Sequence, residues 1–406
     1  MVPRNPHMAH LAAGYLFPEI ARRRREFLRS HPEAQLISLG IGNTTEPITP
    51  HIDQALTEAA RALGTPDGYT GYGEEQGMMA LRERIAQVLY NELPGIDPIA
   101  PDEVFVSDGA KCDIGRLQVL FGSHLPVAVQ DPSYPVYVDG SVIIGAAGPW
   151  NGTGYEGITY LPCTAENGYF PELSRIPSKG LVYFCSPNNP TGAVASRAQL
   201  EALVEEVRKK RSLIIFDAAY AEFIRDPALP KSIYQIPGAK ECAIEVNSFS
   251  KPIGFTGVRL GWSIVPKTLR YEDGTSVNAD WNRICTTLFN GASNIAQQGG
   301  YAALSPKGLT EMRRLTDFYL ENARLIRATL TEMGISCVGG DNSPYIWAHF
   351  PGRDSWDVFS QIMEQCWVIC TPGSGFGPAG QSFIRFSAFG HREDVEEACR
   401  RLRRFR

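Results

Sequence analysis

Long apolar runs are missing from this 406-residue chain. No stretch approaches 18 consecutive apolar residues, so no membrane-spanning helix is expected. The opening residues, MVPRNPHMAH, hold no apolar block of the kind that directs secretion, and no signal peptide is expected. A dominant charge is missing too. Lys and Arg number 39 against 44 Asp and Glu, for a net charge of -5, so neither nucleic acid nor an anionic membrane is expected as a partner. The one basic run, four arginines at 22–25, reads as a solvated helix face, with an anion or partner site as the alternative. The nine cysteines are scattered, odd in number and free of any Cys-x-x-Cys pair. They are expected to be reduced, buried thiols of a cytoplasmic protein, and Cys366 and Cys370 flank what reads as a buried strand over 367–370. The seven histidines are equally dispersed, so no catalytic metal is expected.

What is present is an ordinary globular composition, 43% hydrophobic and 20% charged, long enough for two domains. The middle of the chain alternates short β-rich runs with helical patterns. Strands are expected at 104–107, 127–130, 181–185, 213–216 and 243–246. A helix starts near Lys111, and another starts at Ser196, where Gln199 three residues on makes a capping box. This alternation predicts an α/β fold: a mostly parallel central sheet with helices on both faces. Near residue 300 the pattern changes to one long amphipathic helix over 309–333. Short elements follow at 345–350, 356–364, 367–370 and 382–387, with a terminal helix after His391. That tail reads as a smaller α+β domain. The expected division is an arm and part of the small domain over 1–48, a large domain over 49–298 and a small domain over 299–406.

The polar motifs fall just beyond the C-terminal ends of the expected strands, where ligands bind in open α/β sheets. Ser248-Phe-Ser-Lys-Pro-Ile-Gly-Phe-Thr-Gly-Val-Arg-Leu-Gly-Trp262 sets Lys251 behind two hydroxyls, Ser248 and Ser250, and eight residues before Arg259. Burial and nearby cations lower a lysine's pKa, and a neutral amine can attack an aldehyde. Arg259 then suits a phosphate, which its planar fork can bind in a bidentate manner. An aldehyde with a phosphate points to pyridoxal 5'-phosphate. Asp217, ending an apolar strand, suits the ring nitrogen of that cofactor, or else caps a following helix. Tyr220, three residues later, could reach the ring oxygen from the same helical face. Asn189, in Ser-Pro-Asn-Asn-Pro-Thr-Gly, is a turn residue or a donor to that oxygen. Tyr134 offers a ring for stacking. Ser107-Asp-Gly-Ala-Lys111 joins a strand to a helix whose first N–H groups, at Ala110 and Lys111, suit a phosphate, a generic glycine turn being the alternative. Arg385, inside an apolar strand, needs an anion, either a substrate carboxylate or a structural partner.

The order Asn189, Asp217, Tyr220, Lys251, Arg259, Arg385 resembles the fold-type I pyridoxal-phosphate aminotransferases. Arg-Asn-Pro-His near the start, Tyr-Leu-Phe at 15–17, Ser-Asp-Gly-Ala-Lys-Cys-Asp, Phe-Asp-Ala-Ala-Tyr, Ser-Phe-Ser-Lys-Pro and Phe-Asn-Gly-Ala-Ser are similar to the LL-diaminopimelate aminotransferase family, with Ser-Phe-Ser-Lys-Pro nearest its chlamydial branch. The resemblance implies a homodimer with shared active sites that passes an amino group between amino acids and 2-oxo acids. It implies that Tyr72 reaches the neighbouring subunit's cofactor phosphate and substrate. It further implies substrate contacts from Gly42, Tyr134, Asn189 and Arg385, and contacts to the far end of the substrate from Tyr15 and Lys111 in one subunit and from Glu75 and Asn290 in the other. An aspartate or aromatic aminotransferase, or a lyase using the same cofactor, is the alternative. A transcriptional regulator on this fold is not expected, because no helix-turn-helix precedes the arm.

Overall fold

The computed structural model describes residues 1–11 and 16–405. The strands, in chain order, are β1 (Ile37–Ser38), β2 (Val104–Ser107), β3 (Val127–Asp131), β4 (Ile158–Pro162), β5 (Leu181–Cys185), β6 (Leu213–Asp217) and β7 (Ala243–Ser248). They continue with β8 (Gly261–Ile264), β9 (Cys337–Gly339), β10 (Tyr345–His349), β11 (Val368–Ile369), β12 (Thr371–Pro372) and β13 (Phe383–Ser387). The helices begin with α1 (Leu16–Ser30), α2 (Pro50–Ala62), α3 (Met79–Ile85), α4 (Ala110–Phe121), α5 (Val136–Ile143) and α6 (Arg197–Lys209). After them come α7 (Val277–Leu288), α8 (Asn294–Ala303), α9 (Pro306–Glu332), α10 (Ser355–Cys366) and α11 (Arg392–Leu402).

The central sheet has seven strands in the order β2-β8-β7-β6-β5-β3-β4. Strands β4, β3, β5, β6 and β7 run parallel, and β8 runs antiparallel to both β7 and β2. Both faces are covered, which is why these strands read as apolar runs rather than alternations. Val182, Phe184, Ile214 and Phe216 pack into one core, and Leu181, Tyr183, Ile215 and Val246 into another on the opposite face. Helix α6 starts as its capping box requires: Ser196 Oγ accepts from Gln199 N at 3.3 Å, and Gln199 Oε1 accepts from Ser196 N at 2.8 Å.

Strand β8 was not anticipated, and it shapes the site. Gly261 stands in register with Ser107 on one side and Ser248 on the other. The antiparallel turn therefore delivers Arg259 to the edge where β2 and β7 end. A Cβ on Gly261 would stand 2.7 Å from Gly109 Cα and 3.0 Å from Ala110 N, so only glycine lets the start of α4 approach so closely. Strand β4, on the opposite edge, was also not anticipated, because its burial is mixed.

A second sheet, β12-β13-β10-β9, is antiparallel and packs with α9, α10 and α11. Leu16, Ile20 and Phe27 of α1 join the same core, and β1 pairs in parallel with β11. The expected strand over 367–370 is present but shorter, at Val368–Ile369. Helix α10 runs on to Cys366, and Trp367 closes it in a left-handed conformation at φ 55°, leaving β11 only two residues. Helix α9 starts earlier than expected, at Pro306, because Ser305 caps it by accepting from Gly308 N at 3.1 Å. The arginines at 22–25 lie on α1, where Arg22 pairs with Glu19 and Glu26, and Arg23 with Glu19. All nine cysteines are free; Cys112 and Cys337 are half-buried and the others buried. Among the described residues no helix is long and apolar enough to cross a membrane.

Candidate active site

A cavity of about 260 Å³ lies at the C-terminal ends of β5, β6 and β7, between the two sheets. It gathers twelve of the residues singled out from the sequence: Gly42, Ala110, Lys111, Tyr134, Asn189 and Asp217, with Tyr220, Ser248, Ser250, Lys251, Arg259 and Arg385. The strand register explains this. Cys185 stands opposite Asp217, and Asp217 opposite Val246, so three parallel strands end at one level and their loops converge.

Lys251 follows β7 and points inward. Its Nζ donates to the Gly42 carbonyl and lies 5.5 Å from the centre of the Phe389 ring. Burial, then the charges of Arg385 and Arg259, pull its pKa down to about 7. A large fraction of the amine is therefore neutral at physiological pH, as a nucleophile or proton acceptor requires.

On one side of Lys251 lies a set of donors. Ser248 Oγ donates to Ser250 Oγ at 2.9 Å, and Arg259 Nη1 donates to Ser250 Oγ at 3.3 Å. Helix α4 begins beside them at Gly109, whose φ of 121° suits glycine and whose added Cβ would meet Arg259 Nη2 at 2.5 Å. No side chain caps that helix start, so a hydroxyl pair, a guanidinium and uncapped N–H groups surround one space sized for an anion.

Asp217 ends β6 fully within the protein. Its Oδ2 accepts from Tyr137 Oη at 2.7 Å and its Oδ1 from Ala219 N at 3.0 Å. Burial raises its pKa, and the Tyr137 and Ala219 bonds only partly oppose this. It caps a local turn rather than an α-helix. Tyr220 consequently reaches the cavity through that turn and the short 3₁₀ segment Ala221–Phe223, not by helical spacing. Its hydroxyl lies 2.8 Å from that of Tyr345.

Arg385, on β13, is 1% exposed. Nη1 donates to Asn189 Oδ1 and Nη2 to the Gly40 carbonyl, both at 2.6 Å. Its guanidinium is flanked by the rings of Tyr345 at 4.4 Å and Phe376 at 4.8 Å. All of these partners are neutral, and Nε has none, so among the described residues no structural salt bridge accounts for this charge. A buried guanidinium without an anion is a costly arrangement that an anionic ligand relieves.

Other residues fall elsewhere. Tyr72, at 90% exposure, together with Glu75 and Asn290, lies on the surface outside this cavity. They share one region: a Cβ on Gly291 would meet Glu74 O at 3.2 Å and Glu75 Cα at 3.5 Å. Tyr15 is outside the described residues. Lys111 stands in the wall between the first cavity and a second of about 810 Å³ that also holds Asp139. Tyr137, Tyr345, Phe17 and Ile41 line the first cavity without having been singled out. Tyr137 was within reach of sequence reasoning, three residues after Tyr134 and in the first turn of α5. Tyr345 carried no local signal, because it opens an apolar strand like any core tyrosine.

An amine of lowered pKa, an anion cradle on one side and a buried arginine on the other, all at the strand ends of an α/β sheet, define a site for group transfer on a small acid. The family pattern described as aminotransferase class I and II matches residues 34–402, and the chain belongs to that family. Within the family it groups with LL-diaminopimelate aminotransferases. It is 57% identical over 404 residues to the probable chloroplastic enzyme of Oryza sativa subsp. japonica, covering 99% of this chain and 86% of the relative. It is 53% identical over 405 residues to the enzyme of Protochlamydia amoebophila, covering 99% and 97%. The solved L,L-diaminopimelate aminotransferase of Chlamydomonas reinhardtii superposes with a TM-score of 0.95 at 57% identity, over 99% of this chain and 98% of that one. Members of the family are, in general, pyridoxal 5'-phosphate enzymes.

Proposed function

We propose that this protein is an LL-diaminopimelate aminotransferase that interconverts LL-2,6-diaminopimelate and 2-oxoglutarate with tetrahydrodipicolinate and glutamate, using pyridoxal 5'-phosphate. The observation that carries the reading is identity of 53–57% over 99% of this chain to relatives of that name, together with a buried Arg385 whose hydrogen-bond partners are all neutral, in one cavity with a lysine of lowered pKa.

The residues fit the cofactor. Ser248, Ser250, Arg259 and the start of α4 at Ala110 and Lys111 would hold its phosphate, in the space that a Cβ at Gly109 would fill. Asp217 would face the ring nitrogen, Tyr220 and Asn189 the ring oxygen, and Tyr134 the ring face. Bound there, the cofactor supplies an aldehyde that takes up amino groups and a ring that accepts electrons from the substrate's Cα. The chain supplies the rest. Lys251 would hold the cofactor through its Nζ and, with substrate bound, would take the Cα proton on that atom. Arg385, fixed by Asn189 and Gly40, takes the α-carboxylate and so sets the orientation of the Cα–H bond. Asp217 would accept from the protonated ring nitrogen and favour that protonated form. General-base help accounts for roughly 10²–10⁴-fold, so orientation and the cofactor carry most of the acceleration.

Lys111, between the two cavities, takes the distal carboxylate, and Tyr15 joins it. The working unit is a homodimer in which Tyr72, Glu75 and Asn290 reach the site of the other copy. Their shared exposure away from their own cavity supports this. Glu75 then meets the distal ammonium. The protein divides into the arm and part of the small domain over 1–48, the large domain over 49–298 and the small domain over 299–406. It works in the cytoplasm, a placement supported by nine free thiols. The test is glutamate formation from each diaminopimelate isomer and from aspartate, with 2-oxoglutarate as acceptor. The LL isomer should be preferred by at least about 10²-fold, as expected when a wrong isomer leaves buried polar groups unpaired.

A further inference from the structure

Tyr345 is 1% exposed, opens β10, and touches three parts of the site at once. Its hydroxyl is 2.8 Å from the Tyr220 hydroxyl, its ring lies under the Arg385 guanidinium at 4.4 Å, and the Gly42 backbone fits only without a side chain against its oxygen. The direction of the hydroxyl pair follows from counting protons. Each phenol has one to give. If Tyr220 gives its proton to the cofactor's ring oxygen, the 2.8 Å bond exists only with Tyr345 as donor. Burial of both residues leaves no bulk water to replace it.

We propose that Tyr345 is a positioning residue: by donating to Tyr220 it strengthens the hydrogen bond that Tyr220 gives to the cofactor's ring oxygen, and its ring supports the carboxylate-binding Arg385 from below. This rests on the reading of Tyr220 as the partner of that oxygen. A phenol that accepts a hydrogen bond is a better donor, since chains of hydrogen bonds polarise one another. The positive charge over the Tyr345 ring makes its O–H the stronger donor of the pair. The charged and titratable groups facing the two phenols are Arg385 from β13, Cys185 from β5, Asp217 from β6 and Lys251 after β7.

A donor to the ring oxygen stabilises its proton-free state, so it lowers the pH at which the bound chromophore loses its proton. Weakening the chain must raise that pH. The experiment is a spectrophotometric pH titration of four holoenzymes: the natural protein, Y345F, Y220F and the double variant. Phenylalanine keeps each ring and removes only the hydroxyl. Y345F should move the midpoint upward by roughly 0.2–0.7 pH unit. Y220F should move it further, and adding Y345F to Y220F should change it by less than about 0.1 unit, because the effect passes through Tyr220. An unmoved midpoint in Y345F, or an equal shift in both backgrounds, overturns the proposal while Y220F still shifts. If Y220F leaves the midpoint where it was, the assignment of Tyr220 falls, and the proposal falls with it.

Discussion

Arg385 donates to Asn189 Oδ1 at 2.6 Å, and by that bond a strand of the small antiparallel sheet is tied to the loop that follows β5 of the central sheet. The bond holds the guanidinium, whose Nε has no partner, against the Asn189 side chain. Arg385→Lys keeps the charge but loses the fork. It should lower kcat/KM about 10–100-fold for LL-diaminopimelate and glutamate alike, the scale of one charge-assisted hydrogen bond. Steady-state kinetics with both donors checks this, and a loss confined to one donor would remove Arg385 from the α-carboxylate.

Lys251 should be the point of covalent attachment. Borohydride should fix the cofactor to the natural protein and not to Lys251→Ala, as read by mass spectrometry of the peptide holding residue 251. Turnover in the variant should fall by roughly 10²–10⁴-fold or more. A cofactor label that persists in Lys251→Ala would move the attachment elsewhere.

The lowered pKa of Lys251 predicts a pH dependence. Burial and two arginines disfavour the ammonium form, which gives way to the free amine as pH rises through about 7. Reconstitution of the apoenzyme with cofactor should therefore be about tenfold slower for each unit below pH 7 and level off above it. An ordinary lysine would still be gaining rate at pH 9. Stopped-flow absorbance at a series of pH values reads the midpoint.

Gly261 is tested through the cradle rather than the chemistry. A Cβ there meets Gly109 Cα at 2.7 Å and Asn247 O at 2.8 Å, both backbone, so Gly261→Ala must push α4 away from Arg259. Overpacking of this kind costs about 1–3 kcal/mol. The variant should bind the cofactor more weakly by a matching factor while its apoprotein keeps its secondary structure. Fluorescence titration and circular dichroism together report this.

Much of the large sheet was legible in the sequence because its strands are buried on both faces. Runs such as Leu-Val-Tyr-Phe-Cys and Leu-Ile-Ile-Phe-Asp carry no polar residue before their last position, and they ended where the polar motifs begin. Asp217 and Asn189 were legible for the same reason, since each stands at or just past such a run, whereas the strand before Lys251 carries the buried Glu245 and Asn247. Strand β8 was not, because its first residue continues the glycine-containing loop that carries Arg259. Trp367 hid the end of α10, as a bulky residue in a left-handed cap looks like the start of a strand. Tyr345 was invisible because its function lies in what it touches 125 and 40 positions away, at Tyr220 and Arg385.

The central claim is the substrate with an amino acid at both ends, and Glu75 is where it is most exposed to test. Glu75 lies on the surface of its own chain, outside the cavity, so the role proposed for it requires a second copy. The most direct measurement is kcat/KM of the natural protein and Glu75→Gln for LL-diaminopimelate and for glutamate under one set of conditions. The account predicts a loss of about 10–100-fold for LL-diaminopimelate, the scale of one charged hydrogen bond, and a change within about twofold for glutamate, whose far end carries no ammonium. Equal losses for both substrates, or none for either, would contradict it.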